Sequence, residues 1–247
     1  MTDRRGAALR VTWTIVTILV VEVLVCGIAA LPPVLLWTRL VMPIDVPLAR
    51  LSAAAVAAVP SYIAFALCLM PLSALTTRAL GWKTPPDASM RIAALDWPLL
   101  GWARSMAAAH VVRVLCGTLF RGSPIWTFYL RLNGASIGRR VYVNSLSVSD
   151  HNLLEFGDDV VIGADAHISG HTVEGGIVKT SAVRLGSNVT IGLGAVIDIG
   201  VTIGSDSQIG ALSLVPKGTT LPGGAVYAGV PAHRLSVKTG HDACRIT

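Results

Sequence analysis

The chain has 247 residues, of which 53% are hydrophobic and 14% charged, and its formal net charge is +6. A mean hydropathy of +0.64 is too apolar for one soluble domain and points to segments that leave water for a bilayer. A basic chain can also bind nucleic acid, but no basic stripe is interleaved with aromatics here, so the charge is assigned to an anionic membrane surface.

Residues 11–31 form an apolar run whose only charge is Glu22, and residues 51–75 form a second run carrying Pro60 and Pro71. At ~1.5 Å per helical residue, either run crosses the ~30 Å of hydrocarbon in a bilayer. Residues 1–80 are therefore expected to be a membrane region with two spans. The first run lies where a signal peptide would, but it is longer than one and is followed by Pro32, Pro33 and more apolar residues, so an uncleaved helix is expected. Arg4, Arg5 and Arg10 precede the first span and Arg78, Lys83 and Arg91 follow the second, against Arg39 and Arg50 between them. That bias predicts a multi-pass protein of a bacterial-type inner membrane with both ends in the cytoplasm. A mid-span carboxylate is costly unless protonated or paired, so Glu22 is expected to meet Ser61 or Tyr62 of the second span, or another subunit.

Residues 81–134 gather Trp97, Trp102, Trp126, Phe128 and Tyr129 with Arg104, His110, Arg113, Arg121 and Arg131. This mixture predicts a linker and one or two amphipathic helices, lying on the membrane surface or capping the next domain, with a break near Gly122, Ser123 and Pro124. Arg104, His110 and Arg113 argue against a third span. Cys26, Cys68, Cys116 and Cys244 share no close spacing, so neither a disulfide framework nor a cysteine metal motif is expected.

From 135 to 235 the pattern changes. Leu185, Ile191, Ile197, Ile203, Ile209, Val215 and Leu221 stand six apart, and Gly186, Gly192, Gly204 and Gly210 follow four of them. Four residues after each aliphatic comes a smaller inward position: Val189, Ala195, Val201, Ser207, Ser213 and Thr219. The phase continues upstream through Ile137 with Val141, Val143 with Ser147, Phe156 with Val160, Ile162 with Ala166, and Ile168 with Thr172. A period of six fits neither a helix nor a simple strand alternation. It suits a coil in which one short strand and one tight turn form each side of a prism. Interruptions at 149–155 and 173–184 predict two loops pushed out of the coil, and both are rich in titratable residues. Residues 236–247 read as a flexible tail.

The aliphatic–glycine–x–x–small repeat resembles that of the hexapeptide-repeat acyltransferases. The closing stretch Tyr227, Ala228, Gly229, Val230, Pro231, Ala232, His233, Arg234 is similar to the end of the coil in their acetyl-CoA-dependent members. Residues 129–138, 168–174 and 212–218 resemble, more narrowly, the membrane-attached C-terminal domains of poly-lysine-synthetase-type nonribosomal peptide synthetases. The resemblance implies a mixed fold: two N-terminal transmembrane α-helices and interfacial helices, then a left-handed parallel β-helix of about five coils. It implies a homotrimer on a lipid bilayer, with acyl-CoA (acetyl-CoA first) as co-substrate and no metal. The implied activity is acyl transfer to a hydroxyl or amine of an envelope-related acceptor, such as a lipid-linked glycan or glycolipid. A non-catalytic trimeric scaffold and an amide-bond-forming domain are the alternatives. A zinc site like that of the gamma-class carbonic anhydrases, built on His151, His167 and His171, fits poorly because the spacings here are 16 and 4.

Within that family one histidine acts as the base. His171 is the first candidate, since an imidazole with an ordinary pKa of about 6.5 suits proton removal near neutrality. Glu174, three residues on, would orient its ring. His151 is the second candidate, flanked by Asp150 and Asn152 as orienting partners; in a trimer it would face a neighbour's His171. The competing reading of each is a surface loop histidine. By analogy with the family's groove between neighbouring coil stacks, Gly210, Ala211, Ser213, Ala228 and Gly229 would let the chain approach acyl-CoA. Lys217, His233 and Arg234 would meet its phosphates; for Lys217 and Arg234 the competing reading is a solvated rim charge.

Overall fold

The computed structural model describes residues 4–235. The expected tail at 236–247, with Cys244, lies outside the described residues.

The chain opens with three helices: α1 (Arg4–Ala29), α2 (Leu31–Leu40) and α3 (Pro47–Ala79). Pro32 and Pro33 fall in the first turn of α2, where a missing N–H costs nothing, so the chain bends after Ala29 instead of ending. Trp37 Nε1 donates to Ser61 Oγ at 2.7 Å and fastens α2 to α3. Both apolar stretches are long enough to cross a membrane, and only 17% and 22% of their most apolar windows are buried inside the protein. Their side chains therefore point outward, unlike those of a core helix. The partners expected for Glu22 are engaged elsewhere: Ser61 accepts from Trp37, and Tyr62 donates its hydroxyl to the Leu115 carbonyl. Oε2 of Glu22 is buried and meets no hydrogen-bond partner among the described residues.

Next come α4 (Trp97–Val112), a π-helical turn (Arg113–Gly117), α5 (Thr118–Phe120) and α6 (Pro124–Leu132). Asp96 caps α4 by accepting from Leu99 N at 3.2 Å, and Ser123 caps α6 by accepting from Trp126 N at 3.4 Å. α6 is the amphipathic element: Trp126, Thr127, Tyr129 and Leu130 are buried while Phe128 faces out. One apolar core runs from Val25 and Leu69 through Val112, Trp126 and Leu130 into Ile162, Ile191 and Ile197. The helical region and the coil thus share a single interior.

The remaining chain winds through three parallel sheets. The first holds Ser136–Ile137, Leu154–Phe156, Val183–Leu185, Thr202–Ile203 and Thr220–Leu221. The second holds Tyr142–Val143, Val161–Ile162, Thr190–Ile191, Gln208–Ile209 and Val226–Ala228, closed by the antiparallel strand His233–Arg234. The third holds His167–Ile168, Val196–Ile197 and Leu214–Val215. Ile203 pairs with Leu221, Ile191 with Ile209 and Ile197 with Val215, so one full turn takes 18 residues, three sides of six. The glycines after the aliphatics serve close approach. A Cβ on Gly192 would lie 2.5 Å from Ala211 N, and one on Gly204 would lie 2.4 Å from Gly223 N.

The interruptions differ from expectation. At 149–155 the chain does not protrude. It gains one residue, since Val143 pairs with Ile162 at a step of 19, and folds into a buried 3-10 turn, His151–Leu153. At 173–184 the extra length is a hairpin, His171–Glu174 with Ile177–Thr180, turning through Gly175 and Gly176 at φ +54° and +74°. The upstream phase also slips: from Val143 the next inward aliphatic, Val148, bridged to Ile168, comes after five residues instead of six, with Ser145 the buried position where Ser147 was expected; Thr172 lies on the hairpin, outside the stack. At the far end Thr219 is half-buried while Ser207 and Ser213 are buried. Strand Ser89–Arg91, from the helical region, pairs antiparallel with Ile177–Thr180 and makes the hairpin a three-stranded sheet.

Candidate active site

Asp150 occupies a left-handed conformation (φ 54°, ψ 50°), which its short polar side chain tolerates, and this aims the carboxylate into the interior. Four donors reach it from four parts of the chain. Oδ1 accepts from Thr84 Oγ1 at 2.8 Å and from Trp102 Nε1 at 3.2 Å. Oδ2 accepts from Ser149 Oγ at 3.0 Å and from His171 Nδ1 at 2.5 Å. Burial by itself raises a carboxyl pKa. Here the His171 ring, Thr84 and Ser149 outweigh it and hold Asp150 below its ordinary value, so it is ionised at neutral pH.

His171 opens the hairpin. Ser169 fixes the backbone there, its Oγ accepting from His171 N at 3.2 Å and donating to the His171 carbonyl at 2.7 Å. Trp102 packs edge-on against the ring, centroids 5.1 Å apart, and the side chain stays 22% exposed. Because Asp150 accepts from Nδ1, the ring proton sits there and Nε2 keeps its lone pair. An oriented, partly exposed imidazole whose second nitrogen meets no hydrogen-bond partner among the described residues can take a proton from a bound hydroxyl or amine.

The other expected site residues distribute as follows. Glu174 does not meet the His171 ring; its carboxylate pairs with Lys179 at 3.3 Å and with Lys217, and these ammonium groups hold it below the usual carboxylate range. Lys217, expected at a phosphate, is therefore engaged by the hairpin. His151 is buried, its Nε2 meets the Val148 carbonyl at 3.2 Å and its ring stands edge-on to Tyr129. Burial pushes its pKa down to about 4, so it is a neutral packing group within the fold. Asn152 clamps the backbone of Thr84, accepting from its N at 3.1 Å and donating to its carbonyl at 2.9 Å.

Gly210, Ser213, Ala228 and Gly229 do come together. Gly229 N donates to the buried Ser213 Oγ at 3.1 Å, and a Cβ on Gly210 would lie 2.8 Å from Ala228 Cβ. Ala211, His233 and Arg234 are exposed nearby on the last turns. Among the described residues no three His, Cys, Asp or Glu side chains form a group that could hold a metal ion. Sequence reasoning missed Thr84, Trp102 and Ser149 as partners of Asp150. Thr84 and Trp102 stand 66 and 48 positions away, and no local spacing signals such contacts.

No family model matches the chain. It is 28% identical over 173 residues to the Delta-poly-L-ornithine synthetase of Acinetobacter baumannii strain AB307-0294; the match covers 67% of this chain, which spans 12% of that protein's length. Among solved structures it is similar to the hexapeptide-repeat-containing acetyltransferase of Vibrio cholerae O1 biovar eltor complexed with acetyl coenzyme A. That likeness is 25% identical, covers 42% of this chain and 60% of the other, and has a TM-score of 0.39. Galactoside acetyltransferase in complex with coenzyme A is 27% identical over 45% of this chain and 69% of its own, with a TM-score of 0.38. Serine acetyltransferase of Brucella abortus strain S19 is 18% identical over 71% of this chain and 55% of its own, with a TM-score of 0.35.

Proposed function

We propose that this chain is an acyltransferase in which His171, oriented by Asp150, is the general base. The observation that carries the reading is the 2.5 Å bond from Nδ1 to a buried carboxylate whose other acceptor positions are already taken. That bond fixes both tautomer and ring orientation, and leaves Nε2 to the acceptor. The acceptor's O–H or N–H gives its proton to Nε2 as the oxygen or nitrogen attacks the thioester carbonyl. The tetrahedral intermediate then collapses, the C–S bond breaks, and the imidazolium returns the proton to the departing sulfur. Asp150 stays ionised throughout and stabilises the transient imidazolium.

Acyl-CoA, with acetyl-CoA first, is the proposed donor. Exposed Arg234 and His233 suit its phosphates, whereas Lys217 is held by Glu174. The acceptor is an envelope-related or lipid-linked hydroxyl or amine, because two largely unburied apolar helices sit in one piece with the site. In this reading the coil is a left-handed β-helix of about five turns, assembled as a homotrimer on the cytoplasmic face of the inner membrane. The likeness to a poly-ornithine synthetase favours a second reading, in which the acceptor is an amine and the product an amide.

Full-length protein, acetyl-CoA and an envelope lipid extract provide the test, with free CoA and product mass as readouts. His171→Asn is expected to lower transfer by ~100-fold or more and Asp150→Asn by ~10-fold or more, with oligomer size and melting of the His171 variant unchanged. Full activity in His171→Asn overturns the base assignment. No turnover in the wild type, and no stabilisation by acetyl-CoA, leaves the scaffold reading. An alkali-stable product supports amide formation, an alkali-labile one ester formation.

A further inference from the structure

Asp150 and His171 belong to the coil and its hairpin, but two of the groups that hold them do not. Thr84 follows α3 and is buried, its hydroxyl on Asp150 Oδ1 and its backbone gripped on both sides by Asn152. Trp102, on α4, gives its N–H to the same oxygen and its ring edge to His171. The segment between them reaches the hairpin as well. Thr180 Oγ1 donates to Pro85 O at 2.6 Å and accepts from Ala88 N at 3.0 Å, Ser181 Oγ donates to Asp87 Oδ1 at 2.8 Å, and Ile92 N donates to Gly176 O at 2.9 Å. Met90 is buried against Val178 and Leu99. The outer edge of the hairpin that begins with His171 is thus covered by residues 89–91, and one whole oxygen of the carboxylate is satisfied from the helical region.

We infer that Thr84 and Trp102 are positioning residues for the His171–Asp150 pair, so that the site is complete only while the helical region is docked on the coil. The inference rests on reading His171 as the base, and it ties that base to the seating of α3 and α4. Loss of either donor leaves a buried carboxylate under-solvated. Its less-solvated negative charge then stabilises the imidazolium more strongly, which favours the protonated ring over the basic form of His171. The other titratable groups near the pair are His167 on the third sheet, Asp198 just after its strand Val196–Ile197, and His151 beside Asp150; none of them is the residue replaced in these variants.

The test uses full-length protein in detergent micelles. Carbethoxylation of the His171 peptide by diethyl pyrocarbonate is followed by mass against pH, alongside acetyl-CoA turnover with the envelope extract. Thr84→Val is expected to raise the pH midpoint of modification by ~0.5 unit and slow transfer by ~10-fold, while Thr84→Ser restores both. Trp102→Phe keeps the ring edge, loses the N–H and is expected to shift the midpoint the same way. Wild-type midpoints in both Thr84→Val and Trp102→Phe overturn the inference, and if Thr84→Val does not fold, Trp102→Phe alone decides. Retained activity in His171→Asn together with shifted midpoints would remove the base reading and still support Thr84 and Trp102 as the groups that position the pair.

Discussion

Two buried ionisable groups, one residue apart, respond to acid in different ways. Asp150 has its pKa held below the ordinary carboxyl value, so its contribution to stability is present above about pH 4 and fades only as pH falls lower. His151 has its pKa pushed from 6.5 to about 4, so the unfolded chain binds one more proton than the folded chain between those values. Stability therefore falls as pH drops from 6.5 towards 4, by on the order of 3 kcal/mol from this group alone. His151→Phe keeps an aromatic ring beside Tyr129 and removes the titration. Melting temperatures measured from pH 7 to pH 4 should decline less steeply in this variant than in the wild type; parallel declines would show that His151 is not buried neutral. The sequence made His171 and Asp150 legible as candidates but joined His171 to Glu174. On a strand, residues three apart point to opposite faces, so the spacing that looks adjacent in text separates the two side chains. Asp150 meets the ring because the turn before His151 carries it inward, a placement set by left-handed backbone geometry at one aspartate.

At the level of elements, the six-residue period between 185 and 221 was legible because nothing interrupts it, and the observed register follows it strand by strand. Upstream the same pattern was mis-phased at Ser147, where the step from Val143 to Val148 is five residues instead of six, and at Thr172, where a hairpin leaves the stack. A tight buried turn and a paired hairpin both register as interruption in the sequence; only the tertiary contacts of Asp150 and Met90 tell them apart. The glycine positions have a sharper meaning than flexible corners. Gly192→Ala would place a methyl 2.5 Å from the Ala211 nitrogen, and a backbone atom of the next turn cannot swing away as a side chain could. A loss of roughly 1–3 kcal/mol is expected from this overpacking. Gly218→Ala meets nothing within 4 Å and carries only the strain of φ +68°, on the order of 1 kcal/mol. Chemical denaturation of the two variants should rank them in that order. The reverse ranking would mean that the turns are not stacked this closely.

For the molecule as a whole, the question is which solvent the first helices meet, and one exposed position separates the answers. Val23 lies near the centre of the apolar run at 11–31 and is 69% exposed, on a helix whose apolar window is only 17% buried. If α1 stood in water, Val23→Arg would be nearly silent, within about 0.5 kcal/mol, because surface substitutions away from special contacts usually are. If it crosses hydrocarbon, the same change costs about 2.5–3.5 kcal/mol at the centre of the span. A nearby cationic anchor gives a built-in control. Arg104 donates to Thr14 at 3.2 Å and lies over the Trp82 and Trp97 rings, holding α1 to the segments around the site from the protein side. Val23→Arg leaves that contact intact, so a loss in this variant reports the outer face of α1. The expected result is that wild-type protein and Val23→Leu stay in the membrane pellet after alkaline carbonate washing, while Val23→Arg is recovered there in reduced amount. Equal retention of all three would place α1 outside the hydrocarbon and would remove the physical reason for a lipid-linked acceptor.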